Sequence, residues 1–187
     1  MIIEHQRTYK KLFFITGLLS ILLGTTYYVF STQTEGIYSY NPTKDRAFIL
    51  DLFKNNWYWL VSEQSVDFSA EYMLDNQASS HPPKYTNDLT IKVYRVNNKP
   101  VGFVAYYKVS FYKATLLFIV VDEKQQTHGY GKKLLDYALN DLKQQGFFVV
   151  ELITRTNNLK AQSLYKKFGF KEVWRNDGFV RFEKILT

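Results

Sequence analysis

The chain has 187 residues, of which 46% are apolar, enough to build the core of one domain with an additional segment. It contains no cysteine, which excludes disulfides, thiolate catalysis and cysteine-ligated metal, and its 3 histidines lack the spacing of a zinc site. The net charge of +7 mildly favours anionic ligands or a membrane surface. Aromatic residues, 18% of the chain, are spread evenly, which favours core packing over nucleic-acid stacking.

Residues 1–34 form a segment separate from the domain that is expected over residues 35–187. Residues 12–30 are a run of nineteen without a charge, preceded by Arg7, Lys10 and Lys11. This is close to the length that crosses a bilayer as a helix, so a single-pass membrane anchor is predicted. A cleaved signal peptide and an apolar helix packed on the domain are the alternatives.

The domain begins as strand and helix patterns separated by turn residues. Apolar residues at helical spacing after Asn41-Pro42-Thr43 predict a helix capped by Thr43. Asn97-Asn98 predicts a hairpin. The predicted elements are a strand over residues 35–40, helices over 43–57 and 67–74, a polar loop over 75–88, and strands over 90–96, 101–109 and 114–121.

A glycine-rich turn, Gln126-Thr127-His128-Gly129-Tyr130-Gly131, lies between an apolar strand and a helical pattern. Because Gly129 and Gly131 have no β-carbon, the backbone can approach a ligand closely, and the first N–H groups of the helix point outward toward an anion. Gln126 and Lys133 are wrong for a P-loop, and Leu134 is wrong for a dinucleotide fingerprint. The turn therefore predicts a different phosphate-binding loop.

The rest of the chain continues as helix, strand, helix and two strands. Gly146 is placed to end the first helix and Gly169 the second, which Asn157 or Asn158 caps. The predicted elements are a helix from about residue 132 to 145, a strand over 147–153, a helix over 158–168, and strands over 171–175 and 179–185.

The segment Asn158-Leu159-Lys160-Ala161-Gln162-Ser163-Leu164-Tyr165-Lys166-Lys167-Phe168-Gly169-Phe170 resembles the GNAT acetyltransferase superfamily. That family pairs a Gln/Arg-x-x-Gly-x-Gly/Ala loop with an Asn-x-x-Ala-x-x-Leu-Tyr-x-x-x-Gly-Phe helix, and both patterns occur here in order. The resemblance is strongest over residues 116–173. It implies an α/β (α+β) fold, with a mixed, mostly antiparallel sheet of about seven strands flanked by four helices, after the N-terminal hydrophobic helix.

The resemblance also implies an activity, the transfer of an acetyl group from acetyl-CoA to a primary amine by direct attack in a ternary complex. Acetyl-CoA would lie between the strands over 114–121 and 147–153, with a backbone N–H near Val120 at the oxyanion. Tyr165 would be the general acid. The residues expected to bind the cofactor are Ile119, Val120, Val121, Gln126, Thr127, His128, Gly129, Tyr130, Gly131, Lys132 and Asn158.

The general base and the acceptor are left open. Family members use a glutamate early in the fourth strand or late in the fifth, where this chain has Thr115 and Ile153. Glu151 points to the same side as Ile153 in a regular strand and is the candidate base, with a water molecule as the alternative. The residues expected to line the acceptor mouth are Tyr106, Tyr107, Phe111, Tyr112 and the loop containing His81.

Two other functions compete with catalysis. A degenerate acyltransferase domain could bind CoA as a sensor or serve as a membrane-tethered interaction module, and a basic domain surface could meet anionic lipid. No nucleic acid and no metal are expected. The basic residues around the anchor weakly favour a cytoplasmic amino terminus. Because acetyl-CoA is a cytosolic metabolite, the domain is nevertheless expected to face the cytoplasm.

Overall fold

A computed structural model describes residues 34–61, 68–78 and 89–187. The described residues form strands and helices in the order βααβββαβαββ, which confirms the predicted order. The elements are β1 (Glu35–Ser39), α1 (Pro42–Leu60), α2 (Ala70–Asn76), β2 (Thr90–Val96), β3 (Lys99–Lys108), β4 (Lys113–Val121), α3 (Tyr130–Gln144), β5 (Val149–Arg155), α4 (Leu159–Lys167), β6 (Lys171–Arg175) and β7 (Phe179–Ile185).

The seven strands form one sheet in the order β1-β2-β3-β4-β5-β7-β6. Neighbouring strands are antiparallel except β4 and β5, which run parallel. A parallel pair needs a crossover connection, which α3 supplies. The prediction of a mixed, mostly antiparallel sheet with four helices is therefore confirmed.

The helices pack on both faces of the sheet, around two separate cores. Leu134 of α3 and Tyr165 of α4 belong to one core, whereas Ile49 of α1 and Met73 of α2 belong to the other. Val150 and Leu152 of β5, and Val180 and Phe182 of β7, point to the core under α3 and α4. The alternate residues belong to neither core and form what we call the open face: Glu151, Ile153, Trp174, Arg181 and Glu183.

Strand β4 carries a bulge in its middle. Ala105 pairs with Phe118 and Tyr106 pairs with Leu116, so Leu117 is one extra residue on β4. The bulge changes which side chains face each core, because a regular strand would place Leu116 and Phe118 on the same face. Here Leu116 faces α3, whereas Phe118 faces α1.

Helix α1 differs from its predicted bounds at both ends. Its cap is Asn41 and not Thr43, because the Asn41 side chain accepts a hydrogen bond from Lys44 N–H at 3.1 Å. The helix continues to Leu60 through a kink at Asn56, whose Nδ2 donates to the carbonyl oxygen of Leu52 at 2.9 Å. After the kink, the end of α1 lies beside the end of β5, where Arg155 donates to the main-chain oxygen of Val61 at 3.1 Å.

Two predicted features lie outside the described residues, namely the anchor over residues 12–30 and the loop containing His81. Both stay predictions. In the part of the chain that the structure describes, no helix is both long enough and apolar enough to cross a membrane.

Candidate active site

Strands β4 and β5 part after a short parallel pairing. Their register runs from Lys113 opposite Val149 to Thr115 opposite Glu151. Beyond this point the described residues of β4 pair with β3, and those of β5 pair with β7. We call the space between residues 116–121 of β4 and 152–155 of β5 the strand gap. An extended ligand can bond the main chain there as an added strand does.

Three predicted cofactor residues border the strand gap on β4. Val120 is buried in the core under α1, whereas Ile119 and Val121 are partly buried against the core under α3. Their side chains are therefore occupied with packing. Any contact of Ile119, Val120 or Val121 with the cofactor would therefore involve the main chain, and the role expected for these residues stays a prediction.

The glycine-rich turn leads from β4 into α3 and leaves the helix start free. Gly129 has the left-handed φ of 80°, and a β-carbon on Gly131 would meet only Val121 Cγ2, at 3.7 Å. No side chain of the described residues caps α3, and its first turn contains no acidic residue. Because the first helical bond joins Lys133 N–H to the Gly129 oxygen at 3.1 Å, the N–H groups of the preceding residues remain available to an anion.

The side chains of the turn stabilise the loop itself. The Nδ1 atom of His128 lies 3.2 Å from the Gln125 oxygen and 3.0 Å from the Gln126 oxygen, so it donates to these carbonyls. Its ring stacks on buried Tyr130, with 5.6 Å between centroids. Gln126 accepts a hydrogen bond from Lys160 of α4. Thr127 has a φ of 72°, and Lys132 is exposed.

Helix α4 supplies the predicted cap and the predicted acid. The Oδ1 atom of Asn158 accepts a hydrogen bond from Ala161 N–H at 3.2 Å, so Asn158 is the cap. Tyr165 is 8% exposed and packs against Phe170 and Phe182. Among the described residues its hydroxyl has no hydrogen-bond partner. Burial raises the pKa of Tyr165 to about 12, so the phenol is protonated at neutral pH and can donate a proton.

Glu151 lies where the strand gap begins, on the open face. Thr115 Oγ1 donates to its Oε1 at 3.0 Å, and Lys113 Nζ lies 2.6 Å from its Oε2. Lys113 also pairs with Glu183 at 2.8 Å. Partial burial lowers the pKa of Lys113, but its hydrogen bonds to the two carboxylates outweigh this and raise it. The ammonium therefore lies between the two carboxylates and pairs with both.

The expectation that Tyr106 and Tyr107 line an acceptor mouth is wrong. Both side chains are buried, because β3 is a central strand with helices packed on both of its faces. The Tyr106 hydroxyl donates to Asp141 of α3 at 2.5 Å, on the side away from α1. Phe111 and Tyr112 are exposed, and they lie at the hairpin between β3 and β4, at the opposite end of β4 from the glycine-rich turn.

Two arginines near the strand gap were missed in the sequence. Arg155, at the end of β5, donates to the main-chain oxygens of Tyr58 and, at 3.1 Å, Val61. It therefore holds the last turn of α1 against the sheet. Arg181 lies on the open face opposite Ile153. A weak signal existed in the alternation of charged and apolar residues over 180–183, but that pattern did not indicate which residues would be neighbours on adjacent strands.

Residues 44–170 match the model of the acetyltransferase (GNAT) family. The chain therefore belongs to this family, whose members are acetyl-CoA-dependent N-acetyltransferases. The predicted enzyme class and co-substrate are thereby confirmed.

Similar proteins include enzymes with a named acceptor. The ribosomal protein bS18 alanine N-acetyltransferase of Haemophilus influenzae is 31% identical over 118 residues, which are 59% of this chain and 79% of the relative. The enzyme of the same name from Escherichia coli is 26% identical over 119 residues, which are 60% of this chain and 80% of the relative. The crystal structure of PaiA N-acetyltransferase from Thermoplasma acidophilum, in complex with coenzyme A, shares the fold, with a TM-score of 0.66, 21% identity, and coverage of 81% of this chain and 99% of that chain.

Proposed function

We propose that the chain transfers the acetyl group of acetyl-CoA to a primary amine by direct attack within a ternary complex. The observation that carries this proposal is the strand gap, which has the free start of α3 near one end and the Glu151 carboxylate at the other. An anionic cofactor and an amine can thus meet in one continuous space. The chain also contains no cysteine that could hold the acetyl group as an enzyme thioester.

The cofactor would be held mainly by backbone. The N–H groups at Tyr130, Gly131 and Lys132 would bind the pyrophosphate, because they lack helical partners and lie at the positive end of the helix dipole. The extended arm would bond the main chain of Ile119 and Val121 in the strand gap. Asn158, at the start of α4, would contact the same arm.

The reaction needs one new bond and one broken bond. The amine nitrogen attacks the thioester carbonyl carbon, and the resulting oxyanion is stabilised by a main-chain N–H near Val120. The carbon–sulfur bond then breaks, and Tyr165 protonates the leaving thiolate. The buried, protonated phenol of Tyr165 supports this role, because it is available as an acid over the physiological pH range.

We assign to Glu151 the role of general base, which accepts the proton of the attacking amine directly or through one water molecule. Its carboxylate lies where β4 and β5 part, and it is oriented by the hydroxyl of Thr115 at 3.0 Å. Lys113 Nζ lies 2.6 Å from the other carboxylate oxygen and helps to hold the group in place. The relatives that acetylate an alanine of ribosomal protein bS18 support an amine acceptor, without defining which amine this chain uses.

Initial-rate kinetics test the ternary complex. Acetyl-CoA and an acceptor amine are varied together, and we expect double-reciprocal lines that intersect. Parallel lines would indicate an acetyl-enzyme intermediate and would overturn direct attack.

We also propose that residues 12–30 anchor the domain to a membrane, with the domain in the cytoplasm beside the acetyl-CoA pool. Glu35 pairs with Lys133 of α3 at 2.7 Å, so the chain enters the domain close to the proposed cofactor loop. Full-length protein is expected in the membrane fraction and accessible to protease from the cytoplasmic side. Recovery in the soluble fraction, or protection of the domain from cytoplasmic protease, would contradict this arrangement.

A further inference from the structure

We infer that Arg181 binds a carboxylate of the acceptor, so that the acceptor is a small zwitterionic amine, an apolar amino acid, rather than a cationic peptide or polyamine. This inference rests on the proposed function, because it concerns the acceptor side of the same site. To that function it adds the chemical class of the acceptor and names Arg181 as a residue that determines specificity.

Arg181 of β7 is a diagonal neighbour of Glu151, the proposed base, on the adjacent strand β5. Glu151 pairs with Glu183, and the next pair on the same face joins Ile153 to Arg181. Diagonal neighbours of this kind have Cα atoms roughly 7–8 Å apart. Since the two side chains extend from the same face, an amine beside Glu151 and a carboxylate beside Arg181 can belong to one amino acid.

The guanidinium of Arg181 has no anionic partner among the described residues. It lies 5.7 Å from the centre of the Trp174 ring, and its buried Nε atom has no hydrogen-bond partner there. The neighbouring carboxylate of Glu183 is paired with Lys113. The other described arginines all have oxygen partners: Arg46 has Asp75, Arg95 has Asp45, Arg155 has main-chain oxygens of α1, and Arg175 has Glu172.

The buried Nε of Arg181 is costly to leave unpaired, because its N–H has lost water without gaining an acceptor. A carboxylate is the group that best matches its planar fork of N–H donors. A ligand carboxylate would therefore complete this part of the open face, whereas a second cation would be repelled.

The surroundings of Arg181 also fit an acceptor with an apolar side chain. Ile153 flanks it on one side with 58% of its surface exposed, and Trp174 flanks it on the other with 42% exposed. These side chains exclude water from an ion pair formed between them, and this exclusion strengthens the pair. They also give an aliphatic or aromatic side chain of the acceptor a surface to pack against.

The test compares free amino acids with their amides, which have the same body but lack the carboxylate. Acetyl transfer by the full chain is measured for phenylalanine, leucine and methionine and for the three corresponding amides. The R181Q substitution is expected to lower kcat/KM for the amino acids by about 10- to 100-fold. It should leave kcat/KM for the amides and the KM of acetyl-CoA unchanged. Because each amine is compared between two proteins, the difference in basicity between acids and amides cancels.

R46Q is the matched control, because Arg46 forms an exposed pair with Asp75 between α1 and α2, away from the open face. It should leave both substrate series unchanged, and R181K should retain part of the preference for acids. An equal loss for acids and amides in R181Q, or turnover of other amines but of no amino acid, would overturn the inference alone. Failure to acetylate any amine while acetyl-CoA still binds would overturn the proposed function together with it.

Discussion

The Nζ atom of Lys113 lies 2.6 Å from Oε2 of Glu151, at the place where β4 and β5 separate. This ion pair fixes a carboxylate at the closed end of the strand gap. In our proposal Glu151 takes the place of the glutamate that is absent at Thr115 and Ile153, because it lies on the same face as both residues. The proposed base is therefore tied to an observed pair of residues.

Replacing Glu151 with glutamine should lower kcat by about 100-fold, since the group that accepts the amine proton is lost while its size is kept. The matched control is Glu183→Gln, because Glu183 also pairs with Lys113 but is not hydrogen-bonded to Thr115. That variant should retain kcat within a few-fold. Steady-state rates at saturating acetyl-CoA separate the two, and equal losses in both variants would remove the special role of Glu151.

Tyr165→Phe should lower kcat by about 100-fold and leave the Kd of acetyl-CoA unchanged, because only the donated proton is removed. Turnover is measured by thiol release and binding by calorimetry. Unchanged turnover would show that the leaving thiolate obtains its proton elsewhere.

The same residue should affect stability at alkaline pH. Burial raises the pKa of Tyr165 to about 12, so the folded state favours the neutral phenol. Its contribution is complete below about pH 10, the ordinary tyrosine value, and is lost as pH rises through about 12. In denaturant titrations across this pH window, the free energy of unfolding of the Tyr165→Phe variant should therefore decrease less than that of the wild type. An equal decrease in the two proteins would contradict the raised pKa.

Gly131→Ala should separate ligand binding from folding. A β-carbon there meets only Val121, at 3.7 Å, so the free protein has room for it, and alanine favours a helix by up to about 1 kcal/mol over glycine. The methyl group would nevertheless intrude on a pyrophosphate held by the turn and weaken CoA binding by about tenfold. Gly178→Ala is the control, because a β-carbon there also has free space but lies between β6 and β7. Equal CoA affinity in both variants would argue against the proposed loop.

The buried pair of Asp45 and Arg95 should dominate the attachment of α1 to the sheet. Asp45 is fully buried and accepts from Arg95 at 2.7 Å and from Asn41 N–H at 2.8 Å. Asp45→Asn should therefore lower the free energy of unfolding by about 3 kcal/mol, because the Arg95 charge is left without its partner. The exposed pair of Asp75 with Arg46 is the comparison, and Asp75→Asn should have a small effect in the same denaturant titration. Similar losses in the two variants would contradict this ranking.

The order of elements could be predicted because it depends on local patterns. Periodicity and turn residues locate the strands and helices, and the Asn97-Asn98 hairpin has the positive φ values of 50° and 63° that its sequence favours. The position of the glycine-rich turn between β4 and α3 could be predicted for the same reason, since Gly129 has the positive φ of 80° that glycine favours.

The composition of the open face could not be predicted in the same way. The approach of Arg181 to Ile153 and Trp174 depends on the register of three strands that are distant in sequence. The bulge at Leu117 also reassigns the faces of β4, which simple alternation does not anticipate. The burial of Tyr106 was missed for a related reason, because the exposure of a strand residue depends on which helices cover it.

The most direct test of the central claim is the fate of a labelled acetyl group. Full-length protein is incubated with acetyl-CoA labelled in the acetyl carbon and with a panel of amines that includes apolar amino acids, and products are followed by mass spectrometry together with thiol release. We expect an acetylated amine and free CoA in equal amounts, both strongly reduced in the Tyr165→Phe variant. Binding of acetyl-CoA with no acetylated amine from any member of the panel would contradict the proposed function.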